Sequence, residues 1–173
     1  METQPETTLI ELIHYNNWAN RQILIFCQEL TSEELNATVP GTYGTIHETI
    51  GHIIHAEASY IGRMTGKRLS PPFRWEDEPS LAEITDFSAT VAEALLEAIK
   101  HVAPTDIVHE EDEGSFFEYH ARHLFIQTIN HGIEHRTNIT TIISSLGLPA
   151  PEVDGWAYLN AHTEKFAVKE GPL

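Results

Sequence analysis

The sequence predicts an all-α protein, a four-helix bundle closed by a short C-terminal helical segment. Three observations carry this expectation. Ser/Thr-x-x-Glu boxes recur where helices would start, long stretches repeat their apolar residues at the 3.6-residue period, and Gly or Pro follows these stretches. No alternating apolar and polar pattern argues for strands. The 173 residues suit one domain, 1–173, with a single sizeable core, and 41 % hydrophobic residues place the chain among globular proteins.

The opening helix is expected from about Pro5, a residue suited to a first turn, to Leu30. The second starts at the box "TIHE", with Thr45 as N-cap and Glu48 three residues on, and stops at Gly66. The third starts at "SLAE", Ser80 and Glu83, and ends before Pro104. For the fourth, "SFFE" offers Ser115 and Glu118, with Gly147 and Pro149 as the stop. In each box the hydroxyl accepts from an otherwise unpaired backbone N–H and the carboxylate reaches back to the cap. Between them, the proline-rich 67–79 is long enough for a crossover, and the acidic 104–114 reads as a solvated loop. The tail "PEVDGWAYL" is expected to lie on the bundle through Trp156 and Leu159.

Charge and composition exclude several functions. Ten Lys+Arg against 26 Asp+Glu give a net charge of −16, which repels phosphate backbones and anionic lipid, so neither nucleic acid nor a membrane surface is expected as a partner. The N-terminus has no basic region followed by an apolar run, and no stretch is apolar enough to span a bilayer, so a cytoplasmic location is expected. The single cysteine, Cys27, reads as a small core hydrophobe rather than a reactive thiol.

Eleven histidines are the unusual feature. In "INHGIEHRTNI", His131 and His135 are four apart, so they project from one face of the fourth helix, about 40° apart, within a largely apolar stretch. Buried imidazoles need partners for both nitrogens, and a His-x-x-x-His pair can grip one metal ion. The spacing alone leaves both readings open. A third ligand is available from "TIHETIGHIIHAE", which holds His47, His52 and His55, but the helical wheel does not choose among them. Glu57 falls within the apolar stripe of Ile46, Ile50, Ile53 and Ile61. It reads either as a carboxylate bonded to core polar groups or as a catalytic or ligand-orienting carboxylate beside a metal. Arg136, about 100° from His135, suits a structural salt bridge. Trp18, Asn17 and Asn20 are placed to pack the first helix, Tyr43 to line the mouth of a site, and His120 and His123 to lie on its rim or the surface.

At these residues the chain resembles the DinB/YfiT-like family. "YNNWANRQIL", "TIHETIGHIIHAE", "INHGIEHRTNI" and "LGLPAPEVDGWAYL" match its four characteristic stretches in order and span nearly the whole chain. The resemblance implies an up-down-down-up bundle, with 67–79 as the crossover. It also implies a three-histidine metal site on His52, His131 and His135. Family members often carry "HRGQ" where this chain has "HRTN", a departure at Thr137 and Asn138 that leaves the histidine pair intact.

Three neutral imidazoles leave coordination positions open, as catalytic sites do. Their softness suits a divalent transition metal, zinc or nickel ahead of iron or copper. The resemblance extends to bacillithiol S-transferases and mycothiol-dependent isomerases. The expected function is therefore a metal-dependent hydrolase or thiol-dependent S-transferase acting on a small molecule. The alternatives are a non-catalytic metal-binding or stress-associated protein, and a homodimer acting through a partner surface.

Overall fold

A computed structural model describes residues 5–112 and 114–163. Its four long helices are α1 (Pro5–Cys27), α3 (Ile46–Thr65), α4 (Leu81–His101) and α5 (Arg122–Ser145). They are joined by the short α2 (Ser32–Leu35), a single 3₁₀ turn (Trp75–Asp77) and a hairpin of β1 (Ile107–Asp112) and β2 (Ser115–His120), and followed by α6 (Gly155–Ala161). Each of α1 and α3 packs on both α4 and α5. Among the described residues no helix is long and apolar enough to cross a membrane.

Local chemistry explains most boundaries. Thr45 accepts from the Glu48 N–H and the Glu48 carboxylate accepts from the Thr45 N–H at 2.9 Å. Ser80 and Glu83 form the same box. A further one, Thr31 with Glu34, starts α2 just beyond the expected end of the first helix at Leu30. That first helix stops at Cys27, because residues 28–30 turn with tighter backbone bonds such as Leu30 N–H to Cys27 O. Gly66 ends α3 at φ +69, a left-handed conformation that strains any residue with a Cβ.

The third expected box is a misreading. Ser115 and Glu118 do not cap a helix; they lie in β2, antiparallel to β1 with Val108 opposite Tyr119 and His109 opposite Glu118. The acidic 107–112 is likewise a strand and not a solvated loop. The β-branched and aromatic residues Ile107, Val108, Phe116, Phe117 and Tyr119 favour extended backbone, and Gly114, at φ +79, makes the turn. The first N–H groups of α5 are satisfied from elsewhere: Ala121 donates to Asp106 O and Arg122 to Pro104 O. Val108 buries itself with Val102, Leu124 and Phe125, and the Arg63–Glu110 ion pair at 2.8 Å ties the hairpin to α3.

The helix directions follow from contacts. Along α1, Leu9 and Leu12 flank Phe125 and Ile129, while Asn16 and Asn20 meet Arg136, so α1 and α5 run parallel. Trp75 and Ile84 press on Gly51, and Ile61 and Met64 lie beside Ala94 and Ala98, so α3 and α4 also run parallel. His52 meets His131, and Tyr60 packs beside the Phe125 cluster, so α3 opposes α5. The order is up-down-down-up, and 66–80 carries the chain back along the bundle to start α4.

The core is mainly isoleucine: Ile13, Ile23, Ile46, Ile50, Ile53, Ile139, Ile142 and Ile143 are fully buried. Cys27 belongs to it, and burial pushes its thiol up to about 12, which keeps it protonated and unreactive. The C-terminal α6 is held by Tyr158, which is buried and packs edge-on against Tyr15 and Trp18. Trp156, expected as the anchor, is 75 % exposed.

Candidate metal centre

Helix α5 presents His131 and His135 one turn apart, and α3 brings His52 up to them. The Nε2 atoms of His131 and His52 are 3.0 Å apart, and one ligand atom from each of the three rings lies within 4.8 Å of the others. Ring centroids are separated by 4.3 Å for His131–His135 and 4.8 Å for each pair with His52. Three imidazoles bound tetrahedrally to one ion at 2.0–2.1 Å would hold their nitrogens about 3.3 Å apart. The His52–His131 pair is near that separation, and the three-ring set, within 4.8 Å, is wider than it.

Two further observations fit the site to an ion. Nδ1 of His131 and Nδ1 of His135 are buried with no hydrogen-bond partner among the described residues. Core histidines with a purely packing role pair such atoms, because leaving one unpaired costs about 1–3 kcal/mol. All three rings are also held neutral. His131 is pushed down to about 4, first by burial and then by the proximity of His135 and His52. His52 is lowered by burial, then by His135 and His55; His135 is lowered by burial, against the opposing pull of Glu134. Neutral imidazoles have free lone pairs for a soft divalent ion.

Tyr43 forms the mouth. Its ring stacks on His52 at 4.2 Å and meets His135 edge-on at 4.9 Å. Its phenol lies 3.2 Å from His52 Nδ1, leaving Nε2 turned toward His131. Asn138 positions it, the side-chain Oδ1 accepting from the Tyr43 N–H at 2.6 Å. Asn138 is one of the two residues at which the chain departs from the "HRGQ" pattern.

The other candidates lie elsewhere. Glu57 is buried and turned toward α1, where its Oε1 accepts from Asn16 at 2.7 Å and Asn20 at 2.8 Å; it bonds to no imidazole. Arg136 Nη1 donates to Asn16 Oδ1 at 2.9 Å and Asn20 Oδ1 at 2.6 Å. The expected salt bridge is thus relayed through two asparagine amides and is not a direct contact. Burial raises Glu57, opposed by the amides and Arg136, and burial lowers Arg136. Sequence reasoning missed Asn16, although its position four before Asn20 on a buried face was the available signal. It also missed Gly132, where a Cβ would fall 2.6 Å from both Arg136 Nη1 and Asn16 Oδ1. His120 bonds to Thr105 O, and His123 is exposed.

Among the described residues His47 and His55 are not part of the cluster, though both line a pocket with His52 and Tyr43; His55 is exposed and stacks on Trp75 at 5.0 Å. They leave α3 about 140° and 60° from His52. His47→Ala and His55→Ala are each expected to leave metal affinity within about tenfold, measured by competition against a chromogenic chelator. Metal loss in His55→Ala alone would place the third ligand on a different rung.

A pH dependence follows from His131. Its folded value, about 4, lies below the ordinary 6.5, so between these pH values the unfolded chain binds more protons. Its contribution to stability is full above about 6.5 and is lost as pH falls through about 4. The difference in melting temperature between the metal-free parent and metal-free His131→Asn is therefore expected to shift in the variant's favour from pH 7 to pH 4.5. A difference that does not change with pH counts against the depressed value.

An up-down-down-up bundle with three neutral imidazoles converging between α3 and α5 defines a class of helical protein with a potential metal site. The chain belongs to the DinB family, whose profile matches residues 1–166. It is similar to Protein DinB of Bacillus subtilis (strain 168), with 22 % identity over 158 residues covering 86 % of this chain and 92 % of that one. In structure it resembles a DinB-like protein from Bacillus cereus ATCC 10987, with a TM-score of 0.64 and 22 % identity over 84 % of this chain and 95 % of that one. That likeness shows the shared helical fold.

Proposed function

We propose that His52, His131 and His135 hold one divalent transition metal, zinc or nickel before iron or copper, and that the centre serves a thiol-dependent S-transferase acting on a small molecule. The observation that carries this reading is a cluster of three imidazoles that contains no carboxylate among the described residues. A metal on three neutral imidazoles with positions open supplies Lewis acidity, lowering the pKa of a bound thiol or water.

Two features favour a thiol over water. A thiol ionises near 8.5 and water near 15.7, so water depends far more on a base at the site. Glu57, the one carboxylate expected in that role, is committed to Asn16 and Asn20 on the other side of the helices. The chain's own contribution is then to hold the rings neutral and converged, with Tyr43 fixing His52 and covering one side of the mouth. A hydrolase remains the second form of the same centre.

The test pairs metal loading with a conjugation assay using bacillithiol-like and glutathione-like thiols and an electrophilic acceptor, alongside ester and amide hydrolysis. Metal-dependent thiol consumption, absent in the ligand variants, supports the transferase. Hydrolysis without thiol transfer would move the assignment to the hydrolase. A loaded chain inert in every assay would favour a non-catalytic metal-binding protein.

A further inference from the structure

The last turns of α3 and the first part of the crossover, from Ala58 to Trp75, carry charge opposite to that of the chain as a whole. From Ala58 to Trp75 there are four basic side chains, Arg63, Lys67, Arg68 and Arg74, and no acid, in a chain with 10 Lys+Arg against 26 Asp+Glu. The fold turns three of the four, Arg63, Arg68 and Arg74, onto one groove of about 590 Å³ between α3 and the crossover. This groove lies further along α3 toward its C-terminal end, sharing His55 and Trp75 with the adjoining pocket that reaches His52; His52, His131 and His135 do not line it.

Its walls are aromatic as well as cationic. Phe73 meets Trp75 edge-on at 5.0 Å, and Trp75 is seated by stacking on His55 at 5.0 Å with the rings 2° from parallel. Two of the three guanidiniums are weakly satisfied. Arg68 makes no ion pair or side-chain hydrogen bond among the described residues. Arg74 lies 3.6 Å from Glu76, itself a lining residue, in a pair whose side chains are 75 % and 74 % exposed, and such pairs bind weakly. Arg63 bonds to Glu110 at 2.8 Å. Three guanidiniums around one groove repel each other and gain from a shared anion.

We infer that this groove binds a small organic phosphate, its phosphoryl group on Arg63, Arg68 and Arg74 and its body against Phe73 and Trp75. A phosphate monoester brings close to two negative charges and three acceptor oxygens, which suit several planar guanidinium forks; a monocarboxylate has one charge and occupies one fork. The volume falls in the usual small-ligand range of about 300–1,000 Å³. A nucleic-acid strand is disfavoured, because Glu76, Asp77 and Glu78 follow at once in a strongly acidic chain.

The experiment is calorimetric titration of phenyl phosphate into the full chain carrying His131→Ala and His135→Ala, which removes any phosphate binding at the imidazole cluster. Saturable one-to-one binding is expected there. Adding Arg68→Ala and Arg74→Ala should weaken it about tenfold or more, because each lost charge-assisted hydrogen bond is worth at least that factor. Arg68→Lys, which keeps the charge and loses the fork, should give a smaller loss, and Arg21→Ala none. Benzoate and inorganic phosphate should bind more weakly than phenyl phosphate, and phenol not at all. The proposal is overturned if binding vanishes with the histidines, if it survives undiminished in the Arg68/Arg74 variant, or if benzoate binds as tightly.

Discussion

Joint replacement of His131 and His135 by alanine is expected to take bound metal from about one ion per chain to none after dialysis, read by elemental analysis. The two rings are two thirds of the donor set, and α5 holds them one turn apart without help from any other element. Binding energies of structural zinc run to about 10–16 kcal/mol near neutrality, so losing two of three protein ligands leaves nothing that survives dialysis. His52→Ala should weaken binding severely, since it removes the donor that α3 gives the cluster among the described residues, together with the 3.0 Å contact with His131. The melting temperature gained on adding metal should vanish in the double variant as well. Full metal content in that variant would show that the ion sits elsewhere.

Arg136→Met is expected to be the most destabilising single change outside the isoleucine core. It strips the cation from a buried layer in which Glu57 is 2 % exposed and is linked to the guanidinium through two amides. Breaking a buried pair on one side costs about 3–5 kcal/mol. For a chain of this size that is a fall in melting temperature of roughly 6–20 °C. The pH dependence separates this from lost packing. Without Arg136, the Glu57 carboxyl is raised further, and a raised acid loses stability as pH rises through its folded value. The deficit should therefore be smaller at pH 5 than at pH 8, and adding Glu57→Gln should recover part of it. A deficit that is flat with pH and deepened by Glu57→Gln would mean that the layer is held by shape and not by charge.

Much of the fold was legible because its signals are local. The boxes at Thr45 and Ser80, the stop at Gly66 and the isoleucine periodicity all act within a turn or two of the chain. The box at Ser115 failed for an instructive reason. Ser-x-x-Glu is a short pattern, and in "SFFEYH" it overlaps a run whose aromatic residues favour extended backbone when a partner strand stands across a glycine turn. The site was legible in part. The spacing of His131 and His135 placed them on one face, but the choice among His47, His52 and His55 depends on how α3 is rotated against α5. That rotation is set by packing, and only the resemblance pointed to His52. The link from Arg136 to Glu57 was out of reach, because it runs through asparagines of a third helix, 116 and 120 residues from the arginine.

That relay works as a ruler. Glu57 and Arg136 come from antiparallel helices and meet only through Asn16 and Asn20, so α1, α3 and α5 must all hold one register to satisfy it. The isoleucines around it repeat along the helices, so apolar burial alone marks the register less sharply than this polar layer does. A slide of one turn moves a helix by about 5.4 Å, which would strand both charges and carry His52 well beyond the 3.0 Å that separates it from His131. The height at which the imidazoles meet is thus metered from the neighbouring face of α5, where Gly132 leaves room for the Arg136 guanidinium to reach the asparagines of α1. Variation in the solvent-facing residues of α3 and α5 can proceed freely, while a single methyl at Gly132 would miscalibrate the centre without touching it.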